Sequence, residues 1–328
     1  MAKLMDAYSE PARRRCAFID IGTNTILCLI AECGDGGDFS VLDDLAEIAR
    51  LGQGVDQTRR ISPAGEERSS TVLHRYLERC ARLGVQEIAA VGTSALRDAE
   101  NSGAVLERWQ RVLGLKVRVI SGAEEAVYSF TAARRGLSLA GRELLVVDIG
   151  GGSTELIRGN DAGVSDAVSV DVGSVRLTER FFHSDPVTRS ECDAMAAAID
   201  AALAPIGAAW AQALPKLTLV GIAGTFTTLA AVEKKLEQYS HGEVHGSMLS
   251  IDEVRRQIKI YRSLTVEQRK NIPGLHPMRA DVILAGSFLI EKIMMLFNAG
   301  QIIVSDQGVR YGLLYERLVR EKSIDIGL

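Results

Sequence analysis

The chain has 328 residues, of which 47% are hydrophobic and 24% charged, so it holds enough apolar material for two buried cores. The formal net charge of −4 at pH 7 gives the whole protein no attraction for nucleic acid or a membrane surface, and we expect neither as a partner. A polyanionic substrate would therefore need a locally basic cleft.

The cysteines and the N-terminal residues favour a cytoplasmic protein. The cysteine count is odd and no CxxC pair occurs, so we expect reduced, mostly buried thiols. No apolar segment follows the basic residues of 1–15, which argues against a signal peptide. No uninterrupted apolar run approaches the roughly 18 residues of a membrane helix. The five cysteines are Cys16, Cys28, Cys33, Cys80 and Cys192.

The first half of the chain begins with a predicted β-hairpin. The apolar run 16–22 reaches Asp20 and Gly22, and residues 25–33 continue as a second strand. Glycine and hydroxyl residues between two such runs predict a hairpin turn. Further along, the apolar spacing predicts helices over 64–83, 99–113 and 124–136, with strands between them at 87–92 and 115–121.

The second half opens on an altered copy of this hairpin, at 144–150 and 154–159. Residues 188–214 then predict a long alanine-rich helix, and residues 217–232 a strand, a turn and the start of a helix. The last elements, over 301–318, are a strand, a turn and a helix. Strands that alternate with helices indicate α/β layers, and the two hairpins lie one domain length apart. The sequence therefore predicts two related α/β domains.

Two polar stretches, 237–252 and 271–281, are predicted as loops that precede helices at 251–263 and 282–297. The first of them contains His241 and His245, whose spacing would suit a zinc pair on a helix. The intervening glycine and the lack of an HExxH order favour a loop or strand with a role at the edge of a substrate site or at the surface.

The two hairpin turns are candidates for binding phosphate. Glycines let the backbone amides approach phosphate oxygens closely, and the adjacent Asp20 or Asp148 can hold a hydrated Mg²⁺. Either turn alone could be an ordinary glycine-rich hairpin, but two of them one domain apart favour function. A third turn, 221–225, could offer its amides and a helix N-terminus to another phosphate, or could be a close packing turn.

Glu124 and Glu125 are candidates for the general base. Hydrolysis needs a carboxylate that orients and deprotonates the attacking water. Both glutamates could instead be acids that the helix dipole favours at an N-terminus. Adjacent helical positions point about 100° apart, so only one of the two can face a cleft easily.

Three arginines follow glycine or hydroxyl turns and could contact phosphate through bidentate hydrogen bonds. Each of them could also be an ordinary surface residue. They are Arg97, Arg176 and Arg310.

These segments together resemble one family, the exopolyphosphatase/guanosine pentaphosphate phosphatase family, in its short two-domain form. The resemblance covers about residues 17–320. The motifs that carry it are DIGTNT (20–25), VGTSALR (91–97), ISGAEEA (120–126), VVDIGGGSTEL (146–156), GSVRLTERF (173–181), GIAGT (221–225) and SDQGVRYGLL (305–314).

The resemblance implies an α/β fold of two ribonuclease H-like domains, as in the superfamily of actin, sugar kinases and heat-shock ATPases, with the active site in the cleft between them. The first domain would span 1–134 and the second 135–307. A C-terminal helix at about 308–328 would pack back on the first domain. We also expect a homodimer.

The resemblance also implies roles for individual residues. Glu125 matches the catalytic glutamate, with Glu124 as the second choice. Asp148, Glu155 and Asp20 match the residues associated with the metal. The positions that match phosphate- or substrate-binding residues are Asp20, Gly22, Thr23, Asn24, Thr25, Arg97, Gly150, Gly151, Gly152, Ser153, Thr154, Arg176, Gly224 and Thr225.

The expected activity is hydrolysis of the terminal phosphate of inorganic polyphosphate, or of guanosine pentaphosphate, by a glutamate-activated water assisted by Mg²⁺ or Mn²⁺. Two alternatives use the same scaffold. A sugar or acetate kinase-like enzyme would need an acceptor site, and the sequence shows no recognisable sugar site. A nucleotide-switched binding protein of the actin type would release no phosphate from polyphosphate.

Overall fold

The computed structural model describes residues 13–34, 37–210 and 217–325, with side chains to 319 at the C-terminal end. Residues 211–214 of the predicted alanine-rich helix therefore lie outside the described residues. The elements of the first half are β1 (Arg14–Ile21), β2 (Thr25–Cys33), β3 (Phe39–Ile48), α1 (Val55–Thr58), α2 (Pro63–Arg82), β4 (Glu87–Gly92), α3 (Ser94–Asp98), α4 (Ser102–Leu113), β5 (Val117–Val119) and α5 (Gly122–Gly136).

The first half forms a five-stranded sheet in the order β3-β2-β1-β4-β5. β1, β2 and β3 are consecutive antiparallel strands, and β4 and β5 extend the sheet parallel to β1. The predicted hairpin at Asp20 is the connection from β1 to β2. This order and these directions are those of a ribonuclease H-like sheet.

The second half contains a further set of strands and helices. In chain order they are β6 (Leu144–Ile149), β7 (Thr154–Asn160), β8 (Gly163–Val170), α6 (Ser174–Phe181), α7 (Arg189–Trp210), β9 (Thr218–Ile222), α8 (Ala223–Glu233), α9 (His241–Val244), β10 (Met248–Ser250), α10 (Ile251–Ser263), α11 (Val266–Arg269), a 3-10 helix (Pro277–Arg279), α12 (Ile283–Leu296), β11 (Gln301–Val304) and α13 (Val309–Asp325).

The second sheet repeats the first. Its order is β10-β11-β9-β6-β7-β8, so that β6, β7, β8, β9 and β11 take the places of β1, β2, β3, β4 and β5. β10 is an addition, paired antiparallel to β11 at the edge. The sequence repeat is therefore a structural repeat, and the predicted fold of two ribonuclease H-like domains is confirmed.

The predicted loop at 237–252 is partly wrong, because it contains α9 and β10. The predicted helix over 99–113 is α4, which begins at Ser102, and the residues after β4, predicted as a turn, form the short helix α3. The Ser250 hydroxyl accepts a hydrogen bond from the backbone N–H of Glu253 and so caps α10. Local polarity alone did not reveal that this segment adds a strand to the sheet.

Two helices connect the domains. α13 packs on β1 and β2 of the first sheet, whereas α5, which ends the first half of the chain, packs on β6, β7 and β8 of the second. α5 and α13 also pack against each other. The predicted boundary at 134 falls within α5, and the division of the chain at that residue stays a prediction.

The crossing of α5 and α13 depends on Gly312. A Cβ at this position would lie 2.6 Å from the Cα and Cβ of Tyr128 on α5. We expect Gly312→Ala to lower the free energy of unfolding by about 1–3 kcal/mol, because the helices must move apart. Urea unfolding followed by circular dichroism measures this. Gly103→Ala on α4 is the control, since a Cβ there meets nothing within 4 Å and alanine favours the helix. Equal stability of both variants would contradict this close helix crossing.

α7 is the one helix among the described residues that is long and apolar enough to cross a membrane by length and composition. One face of this helix, including Met195, Ile199 and Leu203, is buried in the core of the second domain. A core helix of this kind passes the same test, so α7 is weak evidence for a membrane segment. The cytoplasmic location stays a prediction.

All five cysteines lie in buried cores. Cys28 on β2 and Cys80 on α2 belong to the core of the first domain, and Cys192 belongs to that of the second. Cys16 and Cys33 are buried between the first sheet and α13. None of them forms a disulfide, so the predicted buried thiols are confirmed.

Candidate active site

A cavity of about 570 Å³ lies between the two domains. Both glycine-rich hairpin tips open into it, because β1 and β6 occupy equivalent positions in the two sheets. The other walls come from β3, the start of α8, the segments 236–241 and 274–279, and the start of α13. Of the residues predicted to bind substrate, those that line it are Asp20, Gly22, Thr23, Asn24, Thr25, Gly150, Gly151, Gly152, Ser153, Gly224 and Thr225.

The two hairpin tips are built alike. In the first, the Gly22 N–H donates to the Thr25 carbonyl at 3.1 Å, and in the second the Gly150 N–H donates to the Ser153 carbonyl at 3.0 Å. A Cβ on either glycine would approach the same carbonyl oxygen at 3.0 or 3.2 Å. The glycines therefore keep each turn tight.

The tips also contact each other across the cleft. A Cβ on Gly151 would lie 2.9 Å from the Thr23 Cγ2, and one on Gly152 would lie 2.7 Å from the Ser94 Oγ. Larger residues at these positions would push the domains apart. The missing side chains thus allow two glycine-rich turns to face one small volume.

Glu125 lies in this cavity, near the N-terminus of α5, and is 8% exposed. Its Oε2 accepts a hydrogen bond from Arg97 Nη1 at 2.6 Å, and the same nitrogen donates to the Ile120 carbonyl at 3.1 Å. Burial raises the pKa of Glu125, and Arg97 opposes that rise. Arg97, predicted to contact phosphate, does not line the cavity and instead holds the glutamate in place.

Glu124 points away from the cavity. It forms a capping box with Ser121 and an ion pair with Arg118, and its side chain is 45% exposed. Hydrogen bonds from Ser121 lower the pKa of Glu124. Glu124 is therefore an acid that stabilises the N-terminus of α5, whereas Glu125 has the position that a general base requires.

Buried acids surround Glu125. Burial, with Glu125 and Asp148 nearby, raises the pKa of Asp20 to about 8. Burial and Glu125 raise the pKa of Asp148 to about 7. Glu155 does not line the cavity, and the hydroxyls of Ser153 and Ser169 donate to its Oε1 at 2.7 and 2.8 Å. Of these four buried acids, Asp20, Glu125 and Asp148 line the cavity.

These acids fit a hydrated magnesium ion better than a fully protein-ligated one. In the described part of the chain, no group of three or more His, Cys, Asp and Glu residues could hold a metal by itself. Mg²⁺ usually takes one or two protein carboxylates and completes its shell with water and substrate phosphates. Asp20 Oδ1 is buried with no hydrogen-bond partner, so one acceptor is available for such a shell.

Arg176 lies behind the second tip rather than in the cavity. Its Nε donates to the Gly152 carbonyl at 2.7 Å, and its guanidinium pairs with Asp56 and Asp98 of the first domain. The predicted phosphate contact is therefore replaced by a contact between the domains. Thr154 is likewise buried, and its hydroxyl donates to the Val172 carbonyl.

Arg279 is a cavity residue that the sequence did not reveal. Its Nη2 donates to Thr25 Oγ1 at 3.2 Å, and its guanidinium occupies the space that a Cβ on Gly224 would need. It forms no ion pair with a carboxylate among the described residues, and burial lowers its pKa. It sits in a segment predicted only as a loop, with no local signal of its position in the cleft.

At the far wall, Arg310 is paired with Asp44 of β3 at 2.7 and 3.0 Å. His241 and His245 both contact Asp306, the first through its carboxylate and the second through its backbone N–H at 3.2 Å. The two histidines therefore hold the turn before α13. His241 also begins α9, so the predicted loop or strand is wrong there.

Comparisons with known proteins identify the family of this chain. The chain matches the model of the Ppx/GppA phosphatase family over residues 29–321. It is 37% identical to exopolyphosphatase 2 of Mycobacterium tuberculosis over 92% of this chain and 98% of that protein. The Aquifex aeolicus Ppx/GppA family member superposes with a TM-score of 0.79 at 34% identity, covering 94% of this chain and 99% of that one. An exopolyphosphatase structure from Cytophaga hutchinsonii superposes with a TM-score of 0.84 at 29% identity, covering 94% of this chain and 98% of that one. The chain therefore belongs to the Ppx/GppA phosphatase family.

Proposed function

We propose that this protein hydrolyses the terminal phosphate of a phosphoanhydride chain, either inorganic polyphosphate or guanosine pentaphosphate. The observation that carries the proposal is the position of Glu125, a buried carboxylate in a cavity between two glycine-rich tips. Relatives of the chain are named for both substrates, as exopolyphosphatases and as guanosine-5'-triphosphate,3'-diphosphate pyrophosphatase.

The walls of the cavity suit the phosphates of such a substrate. The tip amides, the unpartnered Asn24 side-chain amide and the Arg279 guanidinium are hydrogen-bond donors facing one volume. Donors fixed in a partly dry site bind charged oxygens strongly, because they need no reorganisation. These donors lie beside the carboxylates of Asp20, Glu125 and Asp148, so part of the positive charge that a polyanion requires would come from a bound cation.

Glu125 would orient the attacking water and accept its proton as the water oxygen bonds to the terminal phosphorus. The bridging oxygen then leaves with the shortened chain. A raised carboxyl pKa suits a general base, because the proton is transferred most readily when the pKa is near the working pH. Arg97 keeps the Glu125 carboxylate in place and stabilises its charge.

Asp148 and Asp20 would hold Mg²⁺ or Mn²⁺. The ion, when bound, would neutralise charge on the phosphate oxygens. It would also offset the burial and the mutual repulsion that raise the pKa values of Asp20 and Asp148. Glu155 supports this site from behind rather than from within the cavity.

The direct test is release of inorganic phosphate from short polyphosphate, long polyphosphate, guanosine pentaphosphate and ATP, each with and without Mg²⁺. We expect Mg²⁺-dependent release from at least one of the first three. No release from any of them would overturn the proposal. Transfer of phosphate from ATP to an added acceptor would instead support the kinase-like alternative.

Arg279→Ala should raise the KM for that substrate about tenfold and change kcat little, because the lost contact is made equally in the ground and transition states. Phosphate-release kinetics over a range of substrate concentrations measure both constants. Arg189→Ala is the matched control, since Arg189 is an exposed arginine on α7. An unchanged KM would show that Arg279 does not contact the substrate.

A further inference from the structure

Ser129 differs from comparable serines of this protein. Ser69 on α2 and Ser287 on α12 are also fully buried helical residues, and each donates its hydroxyl to the carbonyl four residues earlier, at 2.8 Å. That local bond is the usual choice for serine inside a helix. Ser129 on α5 instead donates to Oδ2 of Asp148 on β6, at 2.9 Å.

This hydrogen bond links two parts of the active site. Glu125 precedes Ser129 by one turn, so both residues lie on the same face of α5. Asp148 comes at the end of β6, immediately before the second hairpin tip. The bond therefore fixes the position of Asp148 relative to the helix that carries the catalytic base.

The Asp148 carboxylate has little else to orient it. No other hydrogen bond to it is present among the described residues, so its second oxygen remains available to a ligand in the cavity. Glu155 is different, because two serines bind one of its oxygens and it does not line the cavity. A buried carboxylate with a single donor depends strongly on that donor for both its orientation and its charge.

We propose that Ser129 is a positioning residue, which holds Asp148 in the orientation that binds the divalent cation beside Glu125. The proposal rests on the function proposed above, in which Asp148 is a cation ligand. Ser129 itself touches neither substrate nor metal. Residues that orient metal ligands typically account for about 10- to 100-fold in metal affinity or activity.

The test compares Mn²⁺ binding to wild type, Ser129→Ala and Ser129→Thr, measured from the electron paramagnetic resonance signal of unbound Mn²⁺ without substrate. We expect Ser129→Ala to weaken binding about 10- to 100-fold. Ser129→Thr keeps the hydroxyl and should retain most of the affinity. In phosphate-release assays, Ser129→Ala should need a correspondingly higher Mg²⁺ concentration for half-maximal activity.

Ser69→Ala and Ser287→Ala are matched controls, because each removes a buried helical hydroxyl away from the cavity. They should lower stability to a similar degree and leave Mn²⁺ binding unchanged. If Ser129→Ala fails to fold, Ser129→Cys, with a similar shape and a weaker donor, should still bind Mn²⁺ less tightly than wild type.

Wild-type Mn²⁺ affinity in Ser129→Ala, or in Ser129→Cys where that variant is needed, would overturn the proposal. Equal Mn²⁺ binding by wild type and Asp148→Asn would overturn it too, because Asp148 would then not be a ligand. Absence of phosphate release from the wild type would refute the proposed function alone, since the Mn²⁺ measurements would still decide the role of Ser129.

Discussion

Glu125→Gln is expected to lower kcat by about 10²- to 10⁴-fold and to leave the KM nearly unchanged. Glutamine can still accept the hydrogen bond from Arg97, so the side chain and α5 should stay in place. It cannot accept a proton from water, and only that step is lost. Phosphate release at saturating substrate and Mg²⁺ measures the effect, with circular dichroism to verify the fold.

Glu124→Gln is the matched control for this prediction. It changes the adjacent residue in the same way, but its side chain is exposed and pairs with Arg118 outside the cavity. We expect activity within a few-fold of wild type and a small loss of stability from the weakened helix cap. If Glu124→Gln were the inactive variant and Glu125→Gln the active one, the assignment of the base would be reversed.

The choice between these glutamates shows what sequence could and could not establish. Helix geometry alone indicated that only one of them could face a cleft. Which one does so depends on the rotation of α5 about its axis, and this is set by Ala126 and Phe130 packing on the second sheet and by Tyr128 packing near α13. Those contacts join distant segments and leave no mark in the local pattern.

The sheets were predictable where their strands are buried. β1 and β6 are apolar runs with an aspartate as the last residue but one, and both hairpins lie where the sequence indicated. β3 and β8 were missed because they are edge strands, only partly buried and carrying acidic residues such as Asp43, Asp44 and Asp166. The alternation of apolar and polar residues along β3 and β8 is too weak to distinguish these strands from loops.

The roles of the arginines could not be predicted, because they too depend on contacts between segments that are distant in the sequence. Arg279 reaches Thr25 from a position 254 residues further along the chain, and Arg176 reaches Asp56 across the domain boundary. An arginine beside a glycine-rich turn can bind an anion in the active site only where the folded domains place it in the cleft.

The expected homodimer stays a prediction, which analytical ultracentrifugation would test.

Asp148→Asn is expected to lower activity at a fixed moderate Mg²⁺ concentration by about 100-fold or more, because charge neutralisation by a bound metal contributes several kcal/mol to such reactions. A neutral amide is a poor ligand for a hard cation. The Mg²⁺ concentration that gives half-maximal phosphate release should therefore rise. Without Mg²⁺ the variant should be at least as stable as wild type, because the substitution removes a buried charge that Glu125 repels.

The variant Glu155→Gln tests whether Glu155 binds the metal ion in the cavity or only supports the site from behind. Glu155 was predicted to have the same role as Asp148, and burial with Glu125 raises its pKa to about 8. Its carboxylate is bound by Ser153 and Ser169 and does not line the cavity. We therefore expect the Mg²⁺ concentration for half-maximal activity to stay near the wild-type value in Glu155→Gln. Equal shifts in both variants would show that the two acids bind the ion together, and a shift in Glu155→Gln alone would transfer the metal site to Glu155.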